Sequence, residues 1–118
     1  MDIYRDSIVM IDLGNNQGSV QSGIRPAVVI QNNIGNEYST TTIVVPITGS
    51  TKRDLPIHHE LYKKDYGCLK CDSTILAEQI LTVSKSQISE VIGYLRSEDS
   101  IKLNEILFVS ISLNNRVS

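Results

Sequence analysis

Along this chain the apolar positions fall in short runs without helical spacing until the last quarter is reached. Ile8-Val9-Met10-Ile11-Asp12-Leu13 is such a run and predicts a first core strand. Ala27 to Gln31 predicts a second, with Pro26 at its first residue or on an edge because proline has no N–H for a central ladder. Thr40 to Thr48 is rich in β-branched residues and predicts a third; the turn chemistry of Asn32-Asn33-Ile34-Gly35-Asn36 predicts a hairpin between the two. A short strand over Ile57–Leu61 follows, then a long strand from Asp72 to Val83 whose middle is broken by Glu78-Gln79. Ser84 to Gln87 suits a single helical turn and Glu90 to Leu95 a last strand.

The pattern changes after Leu95. Ser97 suits an N-cap, Glu98 and Asp99 suit the positive end of a helix dipole, and Leu103, Ile106, Leu107 and Ile111 recur at three- and four-residue spacing. The expected fold is therefore mainly β with a C-terminal helix: a small antiparallel barrel or strongly curled sheet closed on one side by the helix's apolar stripe. No internal repeat or linker divides the 118 residues, so residues 1–118 read as one domain.

Polar chemistry gathers where the strand pattern predicts convergence. From Leu13 to Thr51 the only charged residues are Arg25 and Glu37. Arg25 stands at the mouth of a core strand, where its donors fit either a phosphate-shaped ligand or an internal ion pair or carbonyl cap. Antiparallel pairing of strands two and three brings the Arg25 end of one beside the Thr48 end of the other. The uncharged loop Gly14–Gly23 leaves from that edge and reads as a mobile, donor-rich connection; Gly49–Asp54 is a second polar loop. The corner so defined contains Ser19, Gln21, Arg25 and Thr48, with Glu78 and Gln79 as further members.

Composition mainly excludes. A formal net charge of −2 disfavours a protein that coats nucleic acid through a broad basic surface, while leaving room for a small site with a few placed cations. No apolar run is long enough to span a bilayer, and the start of the chain does not read as a signal peptide, so the expected location is the cytoplasm without membrane association. There is no phosphate-cradling glycine loop, nucleophile elbow or acidic metal cluster. Cys68-Leu69-Lys70-Cys71 lacks a second ligand pair for zinc, since the adjacent His58 and His59 would point to opposite faces of a strand; it reads as two reduced thiols. His58 has the chemistry of a general base, yet it also suits a ring bonded to a neighbour on a strand face.

Taken in order, Gly18-Ser19, Gly23-Ile24-Arg25-Pro26 running into Val29-Ile30-Gln31-Asn32, Thr48, Leu55-Pro56, Asp72-Ser73 and Glu78-Gln79-Ile80 resemble the MazF/PemK family of toxin endoribonucleases, from about Tyr4 to Leu113. The resemblance implies an SH3-like barrel of the CcdB/PemK type and a homodimer that cleaves single-stranded RNA, mostly mRNA, at defined sequences. It also implies cleavage without metal or other cofactor, products with 2′,3′-cyclic phosphate and 5′-hydroxyl ends, and a cognate MazE-like antitoxin. It puts the family's key arginine on Arg25, its key threonine on Thr48 and its loop serine on Ser19; Gln21, Glu78 and Gln79 are then expected at the RNA. His58 and Glu78 are candidates for the base by residue type only, and that role is left unassigned. The alternative is a non-catalytic, CcdB-like toxin of the same fold acting on DNA gyrase.

Several positions depart from the family pattern. The usual Arg-Gly-Asp start followed by an aromatic becomes Arg5-Asp6-Ser7 with Val9, Leu81 replaces an arginine after Glu78-Gln79-Ile80, and His59 stands where a small apolar residue is commoner.

Overall fold

The computed structural model describes residues 2–49 and 54–113. Its elements in chain order are strands β1 (Ser7–Asp12) and β2 (Ile24–Val29), a short helix α1 (Asn33–Tyr38), and strands β3 (Thr41–Thr48), β4 (His58–Leu61), β5 (Ser73–Leu76) and β6 (Leu81–Ser84). A 3-10 turn over Lys85–Gln87, strand β7 (Ile88–Tyr94) and helix α2 (Ser97–Ser110) complete it. The strands pair antiparallel in the order β4-β5-β3-β2-β1-β7, with β6 also on β3. The sheet curls but does not close into a barrel.

Continuous apolar runs arise because the central strands are buried on both faces. Ile8, Val28, Val45 and Ile47 enter one core with Leu61, Ile75, Leu103 and Ile106. Their strand neighbours Val9, Ile11, Ala27, Val29 and Val44 enter a second core with Ile3, Val83 and Ile88. Since successive side chains alternate between faces, strands feeding two cores lose the apolar–polar alternation of a half-exposed sheet. Burying each of these isoleucines or valines contributes roughly 1.5–3 kcal/mol.

Four local expectations change. The connection from β2 to β3 is a short helix rather than a tight turn: Asn32 caps it by accepting from the Gly35 N–H at 2.9 Å, and the buried Asn36 accepts from Thr42 Oγ1 at 2.7 Å. The long strand over 72–83 is two strands on the same edge of β3, one bonded to Ile47–Thr48 and the other to Thr41–Val44. The break lies alongside Val45 and Pro46, where proline has no N–H to donate, and Glu78 and Gln79 turn away from the ladder there. Arg96, not Ser97, is the N-cap of α2, and its side chain makes no capping bond. Leu103 and Ile106 are buried as expected, whereas Ile111 lies past the last helical residue and is exposed.

Pro26 falls where two-sided pairing begins. It faces Met10 of β1, while bonding to β3 starts one residue later at Ala27↔Pro46.

Candidate functional site at the Arg25 corner

The β2–β3 register runs Val29↔Val44, Val28↔Val45, Ala27↔Pro46. Continued by two residues it sets Arg25 opposite Thr48, on the same side of the pleat, as the sequence expectation required. Thr48 is 3% exposed and is also held from the other edge, opposite Thr74 of β5. Its neighbours Ile47 and Gly49 line a groove of about 280 Å³ that Arg25 and Pro26 enter from the β2 side.

Arg25 is half-buried and its guanidinium is tied to the preceding loop. Nε donates to the Ser22 carbonyl at 2.8 Å, and Nη1 donates to Gln21 Oε1. The carbonyl-capping reading is thus realised, but with only part of the donor set, and none of the ion pairs among the described residues involves Arg25. Its remaining donors have the planar geometry that suits phosphate oxygens.

The loop Gly14–Gly23 has a definite internal structure. Gly14 and Gly23 pinch its base through Gly23 N–H to Gly14 O at 2.8 Å, and both have positive φ, which a glycine adopts without a Cβ penalty. Asn16 Nδ2 donates across the loop to the Gln21 carbonyl at 2.7 Å, and Asn16 N–H donates to Ser22 Oγ at 2.8 Å. Gln79 fastens the loop from outside, accepting from the Gln21 N–H at 2.8 Å and donating to the Ser19 carbonyl at 3.0 Å. Ser19, Gln21, Arg25 and Gln79 are therefore one hydrogen-bonded unit.

Glu78 belongs to a different pair. Both its carboxylate oxygens lie within 3.1 Å of His58 Nε2, and the His58 side chain is only 7% exposed. The bonded-neighbour reading of His58 is the one observed, and Glu78 faces β4 instead of the Arg25 network.

The departures from the family pattern acquire physical reasons. Leu81 pairs with Val44 and packs against the second core, so an apolar chain occupies the place of the arginine. His59 reaches Asp99 Oδ1 of α2 at 2.8 Å, a strand-to-helix tie that a small apolar residue would not make. Asp6 adopts φ 78°, the left-handed region that favours glycine, and its carboxylate bonds Arg5 at 2.5 Å and Ser100 at 2.6 Å.

Sequence reasoning missed Asn16, which bonds across the loop, and the share of the groove lining that comes from Cys68, Lys70 and Cys71. The last three reach the groove through the irregular stretch between β4 and β5, where no periodicity shows which way a residue faces. Among the described residues no cluster of three or more metal-ligating side chains is present, and no helix is long and apolar enough to cross a membrane. The loop residues 50–53 lie outside the described residues.

Known proteins share this chain's sequence pattern and fold. Residues 4–111 match the family described as PemK-like, MazF-like toxin of type II toxin-antitoxin system. Endoribonuclease MazF of Staphylococcus epidermidis is 44% identical over 114 residues, covering 96% of this chain and 94% of that protein. Among solved structures, MazF from Deinococcus radiodurans superposes with a TM-score of 0.80 at 18% identity, covering 95% of this chain and 98% of that one. A mycobacterial endoribonuclease in complex with its cognate antitoxin gives 0.78 at 22% identity, covering 94% and 96%. With a family match over nearly the whole chain and a fold shared with MazF, the chain belongs to the PemK-like, MazF-like toxins of type II toxin–antitoxin systems.

Proposed function

We propose that this toxin is an endoribonuclease that cuts single-stranded RNA, mRNA above all, at defined sequences, with Arg25 and Thr48 as its catalytic pair. The observation that carries the reading is the register that sets Arg25 opposite Thr48 on one face of the β2–β3 pair, in a chain of this family. The substrate supplies its own nucleophile: the ribose 2′-oxygen attacks the adjacent phosphorus, the bond to the 5′-oxygen breaks, and a 2′,3′-cyclic phosphate and a 5′-hydroxyl result. DNA lacks that oxygen and is spared.

The protein's part is electrostatic and positional. A guanidinium keeps its proton at any working pH, so Arg25 stabilises the charge that develops on the non-bridging oxygens and does not serve as the base. Thr48 adds a neutral hydrogen-bond donor to the same group. Ser19 and Gln21 present the loop to the strand entering the groove, and Gln79 holds that loop in place; metal takes no part in these steps. The active form is a cytoplasmic homodimer, with RNA near the dimer interface and a cognate MazE-like antitoxin covering the site.

The test is cleavage of a mixed transcript in the presence of a chelator, with primer extension and end-group analysis. Discrete cuts with cyclic-phosphate and 5′-hydroxyl ends are expected. A 2′-deoxy substitution at the cut position should block its cleavage. Arg25→Ala should fold and bind antitoxin but leave RNA intact; an active Arg25→Ala protein overturns the mechanism.

A further inference from the structure

We propose that Asn16 is a positioning residue for the cleavage step: it crosses the loop between β1 and β2 and fixes the two residues on which the Arg25 guanidinium rests. The proposal rests on the endoribonuclease reading and adds to it a residue that acts on the reaction only through Arg25. Arg25 takes its two tethers from adjacent residues, Nε donating to the Ser22 carbonyl at 2.8 Å and Nη1 to Gln21 Oε1. Bonds at two nitrogens set both the position and the plane of the guanidinium, and Nη2 is left without a bond among the described residues. The aim of Arg25 therefore depends on the placement of Gln21 and Ser22.

Regular pairing ends before it reaches those two residues. The β1–β2 ladder runs out at Asp12↔Ile24, and the backbone bonds beyond it, Leu13 N–H to Gly23 O at 2.9 Å and Gly23 N–H to Gly14 O at 2.8 Å, stop at Gly23. From there to the turn that Val20 N–H closes on the Gln17 carbonyl at 3.3 Å, every bond across the loop among the described residues involves Asn16. Its Nδ2 donates to the Gln21 carbonyl at 2.7 Å and to the Leu13 carbonyl at 3.2 Å, and its N–H donates to Ser22 Oγ at 2.8 Å. One amide group thus ties the Gln21 peptide to the end of β1.

Two other roles fit the geometry less well. Asn16 is exposed and fills no core, so its side chain serves the loop's shape and not burial. Nor is its amide offered to RNA as a bidentate reader of a base, because both hydrogens of Nδ2 are spent on carbonyls inside the loop and only Oδ1 remains outward. Without the bridge, the Gln21–Ser22 segment gains several placements and the guanidinium follows it. The loss then falls on the reacting geometry, where a displacement of about 1 Å costs on the order of a hundredfold in rate.

Asn16→Ala in the whole chain is the test, read by cleavage kinetics on a fluorogenic RNA, primer extension, thermal unfolding and the NMR signals of the arginine Nε–H groups. The kcat should fall by about tenfold or more while KM stays within about twofold and the cut sequence is unchanged. The thermal midpoint should drop by about 5 °C or less, as for the loss of a few exposed loop bonds. The Arg25 Nε–H signal, assigned as the one missing from Arg25→Ala, should be distinct in the wild type and should move to the position of solvent-exposed arginines in Asn16→Ala. Ser22→Ala removes the Oγ acceptor but keeps the carbonyl that holds Nε, so it should show the same changes to a smaller extent, and it supplies the measurement where Asn16→Ala does not fold. An unchanged kcat, a higher KM or altered cut sequence at unchanged kcat, or a lower kcat with the Arg25 signal unmoved overturns the proposal while leaving the endoribonuclease reading intact. Absence of cleavage by the wild type overturns both.

Discussion

Gln79 is joined to Arg25 through one intervening residue: its Oε1 accepts from the Gln21 N–H at 2.8 Å, and the Gln21 side chain accepts from the Arg25 guanidinium. The turn between β5 and β6 thereby fixes the conformation of a loop more than fifty positions away in the chain. Gln79 was expected at the RNA; in the free protein its side chain bonds Gln21 and Ser19, where it can also hold the loop in place.

Removing it should misplace Arg25 without unfolding the domain. Gln79→Ala deletes two hydrogen bonds on a half-buried turn, a loss of about 1 kcal/mol of stability each at most. The expected effect on kcat is larger, about tenfold to a hundredfold, because a small displacement of an oriented group is costly to the transition state. KM should change less than kcat. Steady-state cleavage of a fluorogenic RNA beside thermal unfolding checks this, and an unchanged kcat would place Gln79 outside the machinery.

Thr48 tests the other half of the pair. It is buried in a strand bonded on both sides, so Thr48→Val keeps shape and β-branching while deleting the hydroxyl. Cleavage should fall by about a hundredfold or more, the usual consequence of losing one donor to a developing oxyanion. Thr48→Ser, which keeps the donor, should retain most activity. If valine and serine variants cleave alike, the hydroxyl has no catalytic part.

Much of this corner was legible in the sequence because antiparallel pairing is a strong constraint. Once two apolar strands are joined by a short connection, Arg25 and Thr48 must lie at the same end, whether the connection is a turn or the observed helix α1. The roles of Glu78 and Gln79 were not legible. They are adjacent and both polar, yet one faces His58 and the other the loop, a divergence set by the break at Pro46 that no local pattern announces. The groove's Cys68–Cys71 wall was hidden for a similar reason, as irregular chain carries no periodicity from which direction can be read.

Asp6 should reveal a balance between strain and bonding. Left-handed φ at a non-glycine residue costs about 1 kcal/mol, though aspartate bears it better than most. Its carboxylate offsets that cost through Arg5 and Ser100, the latter tying the strand start to α2. Asp6→Ala keeps the strain and loses both bonds, so it should be destabilised by about 2–3 kcal/mol. Asp6→Gly loses the bonds but not the favourable backbone, and should lie about 1 kcal/mol above the alanine variant. Urea unfolding gives the order, and an alanine variant as stable as the glycine variant would remove the strain from the account.

Tyr66 makes the protein sensitive to alkali. Its ring is buried, and its hydroxyl donates to Asp99 Oδ2 while accepting the Arg96 N–H at 2.9 Å, locking the start of α2 to the sheet; Asp99 also receives His59. Burial first, and the bond to Asp99 second, push the phenol well above its ordinary range. With the folded-state value above the unfolded one, both states are protonated below about pH 10 and the contribution is fully present there. Above that pH the unfolded chain loses the proton first, so stability falls toward the folded-state value by at most about 1.4 kcal/mol per pH unit from this group. Tyr66→Phe should be less stable near pH 8 by about 1–3 kcal/mol, having left the Arg96 N–H and one Asp99 oxygen without their partner. Its stability should also decline less steeply than wild type between pH 10 and 11.5. Cys68, raised by burial too, contributes slope in both proteins and cancels in the comparison. Denaturant midpoints at a series of pH values measure the two slopes, and parallel curves would show that Tyr66 has no share in the alkaline transition.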